Sequence, residues 1–308
     1  MTPGRARVWI GAARLRTLPA AIVPVVVGTA CACATRAPRV IDPVAGDVSS
    51  RAIAWRPALA ALAGALAIQI GTNFANDVFD AERGADGADR IGPVRAVSAG
   101  LVTAGAMKRA MVCTFAIACA FGAYLVAVGG WPIAIVGIAS IAAGIAYTGG
   151  PWPLGYHGLG DATVFVAFGL VAVCGTAYVE LGAVPALAIW AAVPVGALAT
   201  AILVVNNLRD RVGDARAGKR TLAVRLGRRG ALVEYTALLA IAYAAPIALA
   251  VARGAPWCAL PVVSLPLAAR DVRAVVAATT GVDFNRSLAS TARLLLVHGV
   301  LLATGVAV

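Results

Sequence analysis

The feature that most constrains this chain is the recurrence of apolar runs long enough to cross a bilayer. The run 58–70 is broken only by Gly64 and Gln69, and similar runs recur almost to the C-terminus. A helix needs about 20 apolar residues to traverse roughly 30 Å of hydrocarbon. Nine segments qualify: 17–34, 57–76, 109–128, 131–148, 160–178, 185–207, 231–251, 255–269 and 290–307. The eighth is short and carries Pro256, Pro261 and Pro266, so a count of eight stays open. The runs do not alternate polar and apolar residues, which excludes a barrel. The chain is 61% hydrophobic and only 13% charged, and its mean hydropathy is +0.87. It therefore reads as an all-α, polytopic membrane protein embedded in the lipid bilayer, with about nine transmembrane helices. The basic, then apolar N-terminus has the outline of a signal peptide. Its apolar part is too long for one, and we read it as a first span that is retained. The six cysteines lie in or beside apolar runs with no CxxC pair, the pattern of small buried hydrophobes.

The formal charge is +12, but no soluble domain gathers it, so nucleic acid is not implied. Topology explains it instead. Twenty-one of the 26 Lys and Arg fall on the N-terminal tail, the even-numbered connections and the last connection. Arg36, Arg39, Arg51, Arg56 and Arg253 fall on the other side. The positive-inside bias places the N-terminus in the cytoplasm and, with nine spans, the C-terminus outside.

Against this background the stretch NFANDVFDAERGADGADR (73–90) is anomalous. It sets Asp77, Asp80, Asp86 and Asp89 at the end of the second span, and NNLRD (206–210) sets Asp210 at the end of the sixth. In each case Asn precedes Asp by four residues, and a second carboxylate follows, Asp80 or Asp214. The match divides the single domain, 1–308, into two pseudo-repeated halves, about 1–150 and 151–308, an arrangement that often places a polar site between the halves. On a helix, Asn73, Asn76, Asp77 and Asp80 share one face, as do Asn206, Asp210 and Asp214, with Asn207 alongside. Such a face suffers like-charge repulsion, an unfavourable helix dipole and a nearby low-dielectric layer. Mg²⁺ relieves all three, because it takes one or two carboxylates and completes its shell with water and phosphate oxygens. The bland alternative is that these Asp pair with neighbouring Arg83, Arg90, Arg209 or Arg211. The repetition of the spacing favours the metal. Arg83, Arg90, Arg95, Lys219 and Arg220 border the same connections, so the pattern predicts a diphosphate clamp, with Lys219 and Arg220 its strongest basic candidates. No GxxxxGK[ST] loop accompanies it, so a nucleoside triphosphate is not indicated.

NDVFD and RDRVGD resemble the two Asp-rich motifs of the UbiA superfamily of intramembrane prenyltransferases. The likeness extends over RLRTLPAAIVPVVVGTA, NFANDVFDAERGADGADRIGP, YTGGPWPLGYHGLGD and NNLRDRVGDARAGKRTLAVRLG. It is strongest to the branch that acts on 1,4-dihydroxy-2-naphthoate in menaquinone biosynthesis. It implies a nine-helix bundle around a central cavity, Mg²⁺, a polyprenyl diphosphate donor and 1,4-dihydroxy-2-naphthoate as acceptor, with loss of diphosphate and CO₂. Superfamily members that use 4-hydroxybenzoate, haem or a glycerol phosphate stay open as alternatives. Outside the family, so does a secondary transporter. Two positions depart from the pattern: Gly84 stands where a third Asp is often found, and Trp152 where related loops often carry a basic residue.

Metal binding is expected of Asn73, Asn76, Asp77, Asp80, Asn207, Asp210 and Asp214, and the resemblance assigns catalysis to the four Asp among them. Tyr147 and Asp161 flank the Gly-rich loop TGGPWPLGYHGLGD, and Asp161 is expected either to orient or deprotonate the acceptor hydroxyl or to cap the fifth span. His157 is expected to be a loop histidine rather than a general base. Gln69 is expected to make an interhelical hydrogen bond, and Arg14 and Arg16 to snorkel to the headgroups.

Overall fold

The computed structural model describes residues 4–36, 53–85, 91–92 and 94–308. Asp86, Asp89, Arg90, Arg39 and Arg51 lie outside the described residues. Among the described residues there are helices and turns and no strand, as the apolar runs require.

Helix α1 (Arg5–Ala13) ends where Arg14 takes a left-handed conformation, and α2 (Pro19–Thr35) starts at Pro19, whose fixed φ suits a first turn. The two are bent by 46°. Helix α3 (Trp55–Glu82) runs well past the apolar run predicted for it, so Asn73, Asn76, Asp77 and Asp80 all sit on its last turns. Thr103 caps α4 (Ala104–Gly129) by accepting from the amide of Ala106. Gly130, with positive φ, turns the chain into α5 (Trp131–Ala146). The fifth predicted span is continuous but heterogeneous. It comprises α6 (Gly160–Val164), a π-helical stretch from Phe165 to Val171, and α7 (Ala172–Leu181). Its packing on α8 (Ala186–Arg216) leaves no room for side chains, because a Cβ on Gly169 would lie 2.8 Å from Gly196 Cα. Helix α9 (Leu222–Arg253) follows.

The eighth predicted segment, 255–269, is where the structure differs most from the apolar pattern. Pro256 and Pro261 remove backbone donors, and the chain forms a 3₁₀ stretch from Pro256 to Ser264 instead of an α-helix. It continues into α10 (Leu265–Ala277), which carries Arg270 and Arg273 and buries only Ala268, Asp271 and Val275. Helix α11 (Gly281–Ala307) starts nine residues before its apolar run, held by a capping box between Thr280 and Asp283.

Among the described residues six helices are long and apolar enough to cross a membrane, or seven if bent α1–α2 is one span; α5, at 16 residues, is shorter. Helix α8 is the axis of the molecule: 78% of its most apolar window is buried, against 17% for α4, which turns most of its surface outward. The main core joins α8 to α2, α9 and α11 through Val27, Leu198, Tyr235 and Leu295. A smaller cluster of Ala12, Phe74, Val78, Ala96 and Met107 ties α1 to α3 and α4. These two cores hold the C-terminal ends of α3 and α8 beside one another.

Candidate active site

Between α2, α3, α4, α5, α6–α7 and α8 lies a cavity of about 530 Å³. Most of its wall is apolar and small, with Ala61, Gly64, Gly122, Val126 and Ile133 among its residues. Its polar residues include Asn73, Asn76 and Asp80 from α3, Asn206, Asn207, Asp210 and Asp214 from α8, and Arg95, Tyr147, Tyr156 and Lys219 from the connections. Both acidic helix ends therefore open into the same space.

Asp80 is the centre of this polar end, and its side chain is 1% exposed. Arg95 Nη2 donates to its Oδ2 at 2.9 Å, and Lys219 Nζ lies 2.9 Å from its Oδ1. The Tyr156 hydroxyl donates to the same Oδ1 at 2.9 Å. Burial and the adjoining Asp80 carboxylate raise the Tyr156 pKa well above the ordinary tyrosine range, so the phenol stays a donor. Lys219 also lies 3.9 Å from Asp214 Oδ1 and 4.7 Å from the centre of the Tyr156 ring. One ammonium thus bridges the acidic ends of α3 and α8.

At the end of α8 the anchor is Arg209, which is 4% exposed. Its Nε and Nη2 donate to both oxygens of Asp210 at 2.8 and 2.7 Å. The same guanidinium donates to Asn206 Oδ1 and, across to α11, to Asn285 Oδ1, each at 2.8 Å. The Asp–Arg pairing expected of a solvated loop is realised here, yet it leaves Asp210 on the cavity wall.

Three of the residues expected at the site take other partners. Asp77 turns away from the cavity and accepts the amides of Ala96 at 3.1 Å and Val97 at 2.9 Å, fixing the segment that carries Arg95. Its position on α3 is about 60° around the axis from Asp80, enough to move it off the cavity face. Arg83 is exposed; its guanidinium donates to the carbonyls of Thr148 and Gly150 and lies over the Tyr156 ring. Arg220 is exposed, and its backbone amide donates to the Tyr156 carbonyl at 2.8 Å. Arg83 and Arg220 thus hold the loop after α5 across the polar end rather than lining the cavity. Within the cavity, Asn73 donates to the Ala13 carbonyl at 3.0 Å, and Asn76 Oδ1 accepts from Thr148 at 2.8 Å.

Asp161 is buried in the first turn of α6, behind Tyr147, and does not line the cavity. It caps nothing: the N-cap position belongs to Leu159, and neither carboxylate oxygen has a hydrogen-bond partner. His157 stacks on Trp152 at 4.3 Å and contacts the Pro153 carbonyl through Nδ1. Gln69 donates to Thr17 at 3.3 Å, the expected interhelical bond, and also borders the cavity. Tyr156 was not singled out from the sequence. A tyrosine in a Gly/Pro-rich loop carries no spacing signal; only the folded loop brings it to Asp80.

Among the described residues no three Asp, Glu, His or Cys converge closely enough to hold a metal by themselves. The donors around the mouth are nonetheless all hard oxygens, from Asp80, Asp210 and Asp214 and the amides of Asn73, Asn206 and Asn207. That set fits a cation which keeps waters and shares a phosphate ligand, and does not fit one that needs a closed protein cage.

The chain belongs to the UbiA prenyltransferase family, whose family model matches residues 45–284. It is therefore an integral membrane prenyltransferase. Over 300 residues it is 41% identical to a protein from Mycobacterium tuberculosis named 1,4-dihydroxy-2-naphthoate octaprenyltransferase, covering 97% of this chain and 96% of that one. The protein of the same name from Mycobacterium leprae is 38% identical over 295 residues, covering 96% and 94%. The fold is shared with a UbiA homolog from Archaeoglobus fulgidus solved bound to DMAPP and Mg²⁺: the TM-score is 0.61 at 13% identity, over 96% of this chain and 98% of that one.

Proposed function

We propose that this protein transfers a polyprenyl group from polyprenyl diphosphate to 1,4-dihydroxy-2-naphthoate, releasing diphosphate and CO₂ and forming a demethylmenaquinone precursor. The observation that carries the reading is the shared mouth, in which Lys219 touches both Asp80 and Asp214 at the head of one apolar cavity. The names of the relatives supply the acceptor, and the cavity supplies a place for an isoprenoid beside a polar head.

Asp80, Asp210 and Asp214, with the amide oxygens of Asn73, Asn206 and Asn207, would hold Mg²⁺. When bound, the ion neutralises charge as it grows on the departing diphosphate. Lys219 adds a mobile cation at the same place, and Arg95 fixes Asp80 from the protein side. The allylic carbon–oxygen bond breaks and its electron pair leaves with diphosphate. The apolar walls keep water from the allylic cation. The ring carbon bearing the carboxylate forms the new carbon–carbon bond. The bond to that carboxylate then breaks, its electrons restore the aromatic ring, and CO₂ departs, so no proton need be gained or lost overall. Tyr147, on the cavity wall, orients the acceptor, and Asp161 behind it sets the local field. The excess of Lys and Arg on the Asp-bearing connections supports a mouth that faces the cytoplasm and an N-terminus on the same side. The matching ends of α3 and α8 support two duplicated halves.

The test is incubation of the purified protein with Mg²⁺, a long-chain prenyl diphosphate and 1,4-dihydroxy-2-naphthoate, followed by mass analysis. A prenylated product lacking the mass of CO₂ is expected. Prenylation of 4-hydroxybenzoate but not of the naphthoate would overturn the acceptor, and no product from any acceptor would overturn the activity.

A further inference from the structure

The surroundings of Asp80 point to a specific job for Lys219. We propose that its ammonium is an exchangeable counter-ion: it occupies the position of the divalent cation until diphosphate arrives, then moves onto the phosphate. The inference rests on the reading that divalent ions are seated at this mouth.

Asp80 is almost wholly buried and is engaged by three donors, Arg95 on Oδ2 and both Tyr156 and Lys219 on Oδ1, so a cation can reach Oδ1 only if Tyr156 or Lys219 withdraws. Two are fixed in place. Arg95 is 7% exposed, and the two residues after it are pinned by Asp77 through their amides. Tyr156 belongs to a short 3₁₀ turn tied down on several sides: the amide of Gly155 donates to the Tyr147 carbonyl, the amide of Arg220 to the Tyr156 carbonyl, and the Arg225 side chain to the His157 carbonyl. Lys219 is the third donor. It lies beyond the end of α8, and its head sits at the end of a flexible four-carbon stem.

The charges make the same distinction. Without the ammonium, the carboxylates of Asp80 and Asp214 would repel one another across a poorly solvated cavity. Lys219 lies within 4 Å of each and offsets that repulsion. A divalent ion at the same place offsets it more strongly and repels the ammonium. The displaced ammonium would be left unpaired near the cavity unless an anion accompanies the metal. Diphosphate is that anion, and it accepts the freed donors. Metal and diphosphate therefore reinforce each other's binding, a coupling that is reciprocal. The protein thereby disfavours a tightly held metal when no substrate is present.

Equilibrium dialysis of Mn²⁺ tests this, since ion chelated by free diphosphate is equal on both sides of the dialysis membrane. The protein is used as the full chain in detergent, with and without a non-ionisable dimethylallyl thiodiphosphate. The wild type is expected to bind Mn²⁺ weakly alone and about tenfold or more tightly with the analogue. Lys219→Met is expected to bind Mn²⁺ alone about tenfold more tightly than the wild type and to gain little from the analogue, while losing transfer activity. Lys219→Arg, which keeps the cation, is expected to bind Mn²⁺ alone as weakly as the wild type. Thermal unfolding of the same samples monitors folding, and Lys219→Gln replaces the Met variant if that one is unfolded. If removal of the lysine charge leaves Mn²⁺ affinity unchanged or weaker, while the wild type still gains from the analogue, the exchange is overturned and the metal site stands. If the wild type retains no Mn²⁺ even with the analogue, both are overturned.

Discussion

At the end of α3, the Asp four residues after Asn faces a pair of backbone amides. At the end of α8, its counterpart faces the cavity. The two helix ends share a spacing but not a neighbourhood. On α3 the cavity side is defined by Asn73, Asn76 and Asp80, and Asp77 falls at its edge, where the segment after residue 93 passes close enough to donate two hydrogen bonds. On α8, Asn206, Asn207, Asp210 and Asp214 fall within about 100° of arc, and all four line the cavity. Arg209 lies on the other side of that arc and reaches around to hold Asp210 and Asn206 from behind. One helix end has thus given a carboxylate to loop anchoring, and the other has kept its full set and recruited a buried arginine to orient it.

This contrast can be broken or sharpened by substitution. The largest effect is expected from Asp80→Asn, which removes the carboxylate shared by Arg95, Lys219 and Tyr156. Prenyl transfer should fall about 10³-fold, measured as initial rate with saturating substrates. Asp210→Asn should follow, at about 10²-fold, with the protein still folded because Arg209 retains Asn206 and Asn285. Asp77→Asn should differ in kind: one amide loses its acceptor, stability falls by about 1–3 kcal/mol in thermal unfolding, and transfer drops less than about tenfold while Mn²⁺ binding is retained. A loss for Asp77→Asn as large as that for Asp210→Asn would erase the distinction between the helix ends. The smallest effect is expected from Arg220→Met, whose side chain is exposed: transfer should stay within about threefold of the wild type in the same assay.

Much of the architecture was legible because lipid imposes a simple rule on length and polarity. Each predicted apolar run falls on a helix or helical turn, and the repeated Asn-to-Asp spacing pointed to two helix ends that do meet at one cavity. Boundaries were less legible, since α3, α8, α9 and α11 all extend into polar sequence. Their outer turns are held by isolated buried apolar residues such as Val78, Leu208, Ala223 and Phe284, and at α11 also by the capping box of Thr280 and Asp283. The eighth segment, 255–269, reads as a weak span because of its length and prolines, and those prolines set a 3₁₀ stretch over 256–264. Within the site, periodicity grouped Asp77 with Asp80 because a helical wheel shows the face and not what packs on it. Asp77 was claimed by amides brought in from residues 96 and 97 by the fold. Lys219 could be singled out by its position after the second motif, whereas Arg95 and Tyr156 owe their places to connections with no periodic signal. Arg83 illustrates the converse: a basic residue near a motif can be occupied in tying loops together.

The most direct test of a single site shared by both helix ends is to locate the ligand itself. A structure should be determined with Mn²⁺ and a non-ionisable prenyl thiodiphosphate, with the ion identified by its anomalous signal. The diphosphate is expected between the ends of α3 and α8, with Mn²⁺ within coordination distance of Asp80 on one side and of Asp210 or Asp214 on the other, and Lys219 moved from Asp80 to a phosphate oxygen. Diphosphate held by one helix end alone, or bound away from both, would contradict the account.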